Sequence, residues 1–268
     1  MLVIKIGGGA GINLSALSEN LAKLQEASES IVVVTGANAK LSQTQKERGI
    51  EPKMITSERG EQSRFTDEVT LELLKEVYGG VADEVAQLVN ENGGAAVFQL
   101  ASKDNLIIAK QHGRMRVLED RKVKVIDGDL TGSIQKVDAA AIQKILDSKK
   151  ILVITPPAAT LDNSEVNVDG DKVASQIAVE LKADKLIFFS NTPGLLKDVE
   201  DEESLIKEIS IAEADDFAVG RMKKKVLAAK RAIEVGVGEV IFADGRVVKN
   251  PIDIALVGGG TKVFGFYA

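Results

Sequence analysis

The sequence predicts an α/β protein, an open and mainly parallel sheet sandwiched between helices. Two observations predict it. Short apolar, β-branched runs alternate along the whole chain with stretches of helical period, the pattern of successive βαβ units. Several of those runs are apolar at nearly every position, as in strands covered on both faces. In such sheets ligands sit at the C-terminal ends of the strands, so the residues after each strand are the first candidates for chemistry.

Taken in order, the first strand is expected over 2–6 and a helix over 14–27, followed by a strand over 31–35. The small-residue turn from Gly36 to Asn38 then opens a helix. A long helix is expected over 67–90, with Thr66 or Asp67 as its N-cap. Strands follow over 95–100, 106–109 and 123–126, a helix over 139–146 and a strand over 151–155. Beyond a polar loop come a helix over 172–181, a strand over 186–190, a helix over 223–235, and strands over 240–243 and 263–266. The turn Thr155-Pro156-Pro157 marks the expected lobe boundary, dividing the chain into 1–155 and 156–268. The acidic run 198–203 reads as a solvated loop, and Gly258-Gly259-Gly260 as a turn before the last strand.

Composition removes much chemistry. The 268 residues include no Cys, no Trp and one His, so disulfides, thiolate nucleophiles, iron–sulfur clusters and zinc fingers are excluded. His112 alone cannot build a metal cage, and any Ser-His-Asp triad would have to use it. No metal held by the protein's own ligands is expected. A net charge of −6 argues against general nucleic-acid binding. No apolar run reaches the ~18 residues of a membrane span. The first residues read as a strand and not as a signal peptide, so the cytoplasm is the expected home.

What remains is Lys, Arg, Asp, Glu, hydroxyls and backbone N–H groups. The first strand runs into Lys5-Ile6-Gly7-Gly8-Gly9. Glycines there let N–H groups approach an anion that the Lys5 ammonium also reaches; a tight turn beside a surface lysine is the alternative. The spacing is neither that of a Walker A loop nor G-x-G-x-x-G. Thr35-Gly36-Ala37-Asn38 is a second such turn, at a helix start that favours phosphate, or an ordinary connection. Arg64 precedes the long helix, and its fork of donors suits a carboxylate. Asn167-Val168-Asp169-Gly170-Asp171 has more polar groups than a cap requires; one Asp can hold a lysine or help hold Mg²⁺ through water. Ser190-Asn191-Thr192-Pro193-Gly194-Leu195 leaves a buried strand, either as a resting place for a nucleotide or as a Pro-Gly turn. Gly220-Arg221-Met222-Lys223-Lys224-Lys225 crowds cations at a helix start, against the macrodipole, which suits an anion site or a solvated basic run. From Lys103 to Lys124, seven Lys/Arg face three Asp/Glu. That segment suits an acidic partner or is an exposed hairpin with solubilising charges, and His112 within it reads as a surface residue.

In this order the motifs resemble the amino acid kinase family, the fold of N-acetylglutamate kinase, over nearly the whole chain. The strongest pieces are Lys5-Ile6-Gly7-Gly8, the 167–171 stretch, the 190–195 loop, and Met222 with Lys225. Within that family, Ser63-Arg64-Phe65-Thr66-Asp67, Val117-Leu118-Glu119-Asp120 and Asp127-Gly128-Asp129-Leu130-Thr131-Gly132 look most like the LysW-aminoadipate and LysW-glutamate kinases. Those enzymes act on an amino acid attached to the C-terminus of LysW, a small acidic carrier protein. The resemblance implies an eight-stranded sheet and a homodimer. It also implies an N-terminal lobe for the acyl acceptor, a C-terminal lobe for ATP, and Mg²⁺ with the nucleotide. It implies transfer of the γ-phosphoryl of ATP to a side-chain carboxylate, leaving an acyl phosphate, in lysine or arginine biosynthesis.

By position, the resemblance gives Lys5 the transferring phosphoryl, Lys225 the leaving ADP oxygens, and Asp171 the task of holding both lysines. Gly7, Gly8 and Gly36 would offer N–H groups to the phosphoryl. Arg64, Asn167 and Ala37 would meet the acceptor. Ser190, Asn191, Thr192, Gly194, Leu195 and Met222 would border the nucleotide. The basic stretch would dock the carrier. The chemistry agrees: a carboxylate is a nucleophile at neutral pH without a general base, and phosphoryl transfer asks for positioning and charge neutralisation. The chain departs from the family at Thr35-Gly36-Ala37, where relatives carry His-Gly-Gly; the turn survives if Ala37 keeps a negative φ. Free N-acetylglutamate as acceptor, a non-catalytic nucleotide or amino-acid sensor, and a carrier-binding module without turnover are the rival readings. No arginine-sensing extra helix is expected ahead of the first strand.

Overall fold

The computed structural model describes residues 1–27, 29–58, 62–119, 122–220 and 222–265. Its centre is an eight-stranded sheet. Strands β1 (Leu2–Ile6), β2 (Ile31–Thr35), β5 (Ala96–Leu100), β10 (Ile151–Thr155), β13 (Lys185–Ser190), β14 (Glu208–Ser210), β15 (Glu239–Asp244) and β16 (Gly260–Phe264) run in the order β14-β16-β15-β13-β1-β2-β10-β5. Neighbours are parallel except β15 and β16.

Alternation along each strand divides the core. Leu2, Ile4 and Ile6 face helices α1 (Leu14–Glu26), α3 (Glu68–Glu91) and α7 (Pro251–Leu256). Val3 lies on the opposite face, with Leu186, Phe188, Val240 and Phe242, under α4 (Ala139–Asp147), α5 (Gly170–Glu180) and α6 (Met222–Glu234). By the same period the side chain of Lys5 belongs to the face that α5 covers. Phe188 and Phe242 meet at 5.7 Å there, and truncating either ring to Ala would cost about 3–5 kcal/mol. No helix among the described residues is long and apolar enough to cross a membrane.

The chain leaves β1 for β2 on one side, and β13 is added later on the other. The sheet therefore changes direction of growth beside β1, where open α/β sheets bind ligands. Helix α2 (Asn38–Glu47) follows β2 and buries Leu41 against Leu73, Leu74 and Val77 of α3. Asp67, one of the two expected caps, caps α3 by accepting from Thr70 N at 2.8 Å.

Two expected strands belong elsewhere. The run at 106–109 becomes β6 (Ile107–Gln111), in a four-stranded sheet with β9 (Gly132–Val137), β11 (Ala158–Ala159) and β12 (Glu165–Val166). The run at 123–126 becomes β8 (Lys122–Ile126), which forms a hairpin with β7 (Met115–Glu119). A second hairpin, β3 (Met54–Thr56) with β4 (Gln62–Arg64), packs on it through Ile55, Phe65 and Val117. Residues after position 155 return to the N-terminal part, since β11 pairs with β6. Phe266, at the end of the last expected strand, lies outside the described residues, as do Arg221, Asp120 and Arg121.

Candidate active site

The C-terminal ends of β1, β2 and β13 converge on an ion cluster. Lys5 is 4% exposed; its Nζ donates to Ile6 O at 2.8 Å and stands 3.9 Å from Asp171 Oδ1. Asp169 caps α5, accepting from Asp171 N at 2.9 Å and Lys172 N at 3.2 Å. That cap leaves the Asp171 carboxylate free to face the lysines. Lys225, in the first turn of α6, donates to both Asp171 oxygens at 2.9 and 3.0 Å, and its Nζ lies 5.6 Å from the centre of the Phe188 ring. One carboxylate thus bridges two ammoniums carried by a strand and a helix far apart in sequence.

Burial decides the charge balance. Desolvation pushes the Lys5 ammonium down from 10.5 to about 8; Asp171 pulls it up, and Lys225 adds to the fall. The attraction to Asp171 is worth about 4 kcal/mol at an effective dielectric of ~20, so the burial penalty exceeds it. For Asp171, burial raises the carboxyl, but Lys225 and then Lys5 outweigh it and hold it below the ordinary carboxylate range.

Glycines leave room for this cluster. A Cβ on Gly36 would stand 3.0 Å from Lys5 Nζ, and one on Gly170 would stand 2.9 Å from Lys5 Cε. Gly170 has a part that its sequence context, a residue after a cap, does not announce. A Cβ on Gly8 would meet Asn38 N at 2.4 Å and Ala37 N at 2.6 Å. The two glycine turns are therefore in backbone contact. Of the three expected N–H donors, Gly7 donates to Phe189 O at 2.9 Å and Gly36 to Ile6 O at 3.0 Å, so both continue the ladder. Gly8 N–H has no partner among the described residues and points the donor role to itself, with the start of α2 beside it. Ala37 keeps a φ of −140°, and its methyl is buried with Leu41 and Leu74. The turn therefore tolerates this departure from His-Gly-Gly.

The 190–195 loop borders the same end of the sheet. Ser190 Oγ lies 3.2 Å from Thr192 Oγ1, and a Cβ on Gly9 would stand 3.3 Å from the Asn191 amide, so the loop touches the first glycine turn. A Cβ on Gly194 would collide with Thr261 Oγ1 at 2.4 Å, and Leu195 donates its N–H to that oxygen at 2.8 Å. Leu195 is a core side chain, so only its backbone is offered to the loop. Met222 begins α6 one turn before Lys225 and rests against the core. Beside the loop, Arg246 is forked onto Asp244 and also pairs with Glu202 at 2.8 Å, tying down the acidic run.

Arg64 and Asn167 are held by other parts of the chain. Arg64 lies in β4 and not at a helix start; it donates to Gln45 Oε1 and, at 2.8 Å, to Ser42 Oγ of α2. The backbone of Asn167 pairs with Leu130 O at 2.8 Å and Gly132 N at 2.9 Å, while its side chain makes no hydrogen bond among the described residues. The three stretches 63–67, 117–120 and 127–132 come together: Phe65 packs on Val117, and Thr66 N donates to Asp129 Oδ1 at 2.8 Å.

The basic segment is partly neutralised. Arg114 pairs with Asp127 at 3.4 Å, Arg116 with Glu58 at 3.0 Å and Lys124 with Glu119 at 2.7 Å. The outer face of the β7–β8 hairpin exposes Leu118, Val123 and Val125. His112 is at the surface, with ring nitrogens 3.1 Å from Thr131 Oγ1 and 2.8 Å from Ser133 Oγ.

Two lysines braced by one aspartate, beside a glycine turn with a free N–H, make a site for moving an anionic group, a phosphotransferase. Residues 1–244 match the amino acid kinase family, and the chain belongs to it. The [LysW]-aminoadipate kinase of Deinococcus radiodurans is 40% identical over 98% of this chain and 91% of its own length. That of Thermus thermophilus is 36% identical over 98% of this chain and 100% of its own. Among solved structures, the N-acetylglutamate synthase of Neisseria gonorrhoeae, complexed with coenzyme A and N-acetyl-glutamate, overlays with a TM-score of 0.79 at 24% identity; it matches 100% of this chain, which spans 60% of that protein. The chain is thus an ATP-using kinase of amino-acid metabolism.

Proposed function

We propose that this kinase phosphorylates the side-chain carboxylate of aminoadipate or glutamate carried on a LysW-type acidic protein, in lysine or arginine biosynthesis in the cytoplasm. The bridged pair Lys5–Asp171–Lys225 carries the reading of the chemistry. A carboxylate oxygen forms a bond to the γ-phosphorus, the bond from that phosphorus to the β–γ bridging oxygen breaks, and ADP leaves. Lys5 and Gly8 N–H stabilise the transferring phosphoryl, and Lys225 stabilises the ADP oxygens. Asp171 fixes both ammoniums before substrate arrives, so little reorganisation is left for the reaction itself. Arg64 and Asn167 meet the acceptor, and the 190–195 loop with Met222 meets the nucleotide.

Mg²⁺ bound with the nucleotide would supply further charge neutralisation at its phosphates. Among the described residues no three His, Asp or Glu side chains gather as a metal cage, and Asp171 is already held by lysines. Residues 1–155, together with the segment through β11, β12 and Asn167 that returns to them, take the acceptor and dimerisation, and the rest of 156–268 takes ATP. Strand β5 ends the sheet with one neighbour and a half-buried apolar run, which supports a homodimer through that edge. The carrier is supported by the names of the relatives and by the basic, partly apolar β7–β8 hairpin, whose charges suit an acidic protein.

The test is ATP consumption with hydroxylamine trapping of the acyl phosphate, using LysW-aminoadipate, LysW-glutamate and N-acetylglutamate in turn. Turnover is expected only with the carrier-bound acceptors. Equal turnover with N-acetylglutamate would remove the carrier from the reading, and failure with all three despite ATP binding would leave a sensor.

A further inference from the structure

Asp129 is the most enclosed carboxylate on the acceptor side, at 2% exposure, and it has no Lys or Arg within ion-pair distance among the described residues. A buried carboxylate without a cation persists only where hydrogen bonds satisfy it. Its Oδ1 accepts from Thr66 N at 2.8 Å, and its Oδ2 accepts from the Thr131 hydroxyl. Thr131 gives its single proton to Asp129, so the His112 Nδ1 that meets Thr131 Oγ1 at 3.1 Å carries a proton and donates it. The main chain completes the arrangement. Leu130 N donates to Thr66 O at 2.7 Å, and Asn167 N donates to Leu130 O at 2.8 Å.

Thr66 is therefore fixed at both its N–H and its C=O by the segment that also fixes Asn167. Arg64 lies two residues before Thr66. We infer that Asp129 is a positioning residue of the acceptor site: it holds the Arg64–Thr66 strand end and the Asn167 backbone in one register, so that the two acceptor-side groups face the carboxylate substrate together. Asp129 touches neither substrate nor ATP. The inference rests on the proposed acceptor roles of Arg64 and Asn167, and it adds the device that sets their separation.

Steady-state kinetics with ATP and LysW-aminoadipate separates this role from general stability. Asp129→Ala leaves Thr66 N–H buried without an acceptor and is expected to raise the acceptor KM about tenfold or more, with the ATP KM within about twofold. Asp129→Asn restores most of the affinity, because an amide oxygen still accepts from Thr66 N–H while its NH₂ donates to Thr131 Oγ1. Thr131→Val gives an intermediate rise in acceptor KM, and it decides the matter if Asp129→Ala does not fold. An unchanged acceptor KM in a folded variant, or equal rises in both KM values, overturns the inference. Asn167→Ala is the control. If it raises the acceptor KM while Asp129→Ala and Thr131→Val do not, positioning by Asp129 is wrong and the acceptor site stands. If Asn167→Ala leaves the acceptor KM unchanged, the acceptor assignment falls and the role of Asp129 falls with it.

Discussion

Replacing Lys5 with Met is expected to stabilise the protein while abolishing catalysis. The Lys5 ammonium is lowered from 10.5 to about 8 in the folded chain, a difference of 2.5 in pKa. At about 1.36 kcal/mol for each pKa unit, holding that charge in the cluster costs about 3 kcal/mol. Methionine fills similar space without the charge but loses the hydrogen bond to Ile6 O, worth about 1 kcal/mol. The net gain is about 2 kcal/mol, or about 4 °C in Tm for a chain of this size. Its pH dependence has a definite sign. Below pH 8 folded and unfolded chains both hold the proton, so the wild type carries the whole penalty. From pH 8 to 10.5 the unfolded chain binds a proton that the folded chain has released, so wild-type stability rises with pH and the advantage of Met shrinks. Denaturant unfolding of the ligand-free proteins at pH 7 and pH 10 measures both quantities. A Lys5→Met protein less stable than wild type at pH 7 would show that Asp171 more than offsets the burial of Lys5.

The remaining expectations concern activity. If Lys5 acts on the phosphoryl as proposed, kcat/KM should fall above about pH 8, while kcat holds to higher pH because bound phosphates favour the ammonium; a flat kcat/KM from pH 7 to 9 would count against Lys5. Gly8→Ala drives a Cβ into backbone at 2.4, 2.6 and 2.8 Å, so its kcat should fall about a hundredfold or more with a lowered Tm. Asp171→Ala leaves the buried Lys5 ammonium and the half-buried Lys225 ammonium without their shared carboxylate and should destabilise the chain by about 3 kcal/mol, read by thermal unfolding. If the basic hairpin docks the carrier, raising salt from about 50 to 200 mM should raise the carrier KM severalfold and change the ATP KM less.

Much of the central sheet is legible because its strands are buried on both faces, and 31–35 or 151–155 admit no other reading at that length. What escapes is short or polar. β14 has three residues, of which Glu208 is exposed, and it exists by pairing with β16. α7 has six residues, too few for a period to register. α2 buries only Leu41 and Gln45, so its end at Glu47 cannot be read from an apolar stripe. The assignment of 106–109 and 123–126 to other sheets is a matter of partners, which no local pattern encodes. In the site, the lysine–aspartate trio is foreshadowed by cations that a helix start disfavours and by an Asp beyond the needs of a cap. The uses of the Gly7 and Gly36 N–H groups in the ladder are not, because they depend on which strands lie alongside.

The stem of Lys5 passes between Gly36 and Gly170, whose missing Cβ atoms would sit 3.0 and 2.9 Å from its last two atoms. The sleeve is made of absences contributed by the turn after β2 and by the start of α5 around a side chain of β1. It admits a narrow alkyl chain ending in a point charge, and a planar guanidinium has no room in it. Positions 36 and 170 therefore set the width of side chain that position 5 can carry. An arginine at position 5 would keep the charge and still fail, and a bulkier residue at either glycine would silence the lysine without touching any reacting atom.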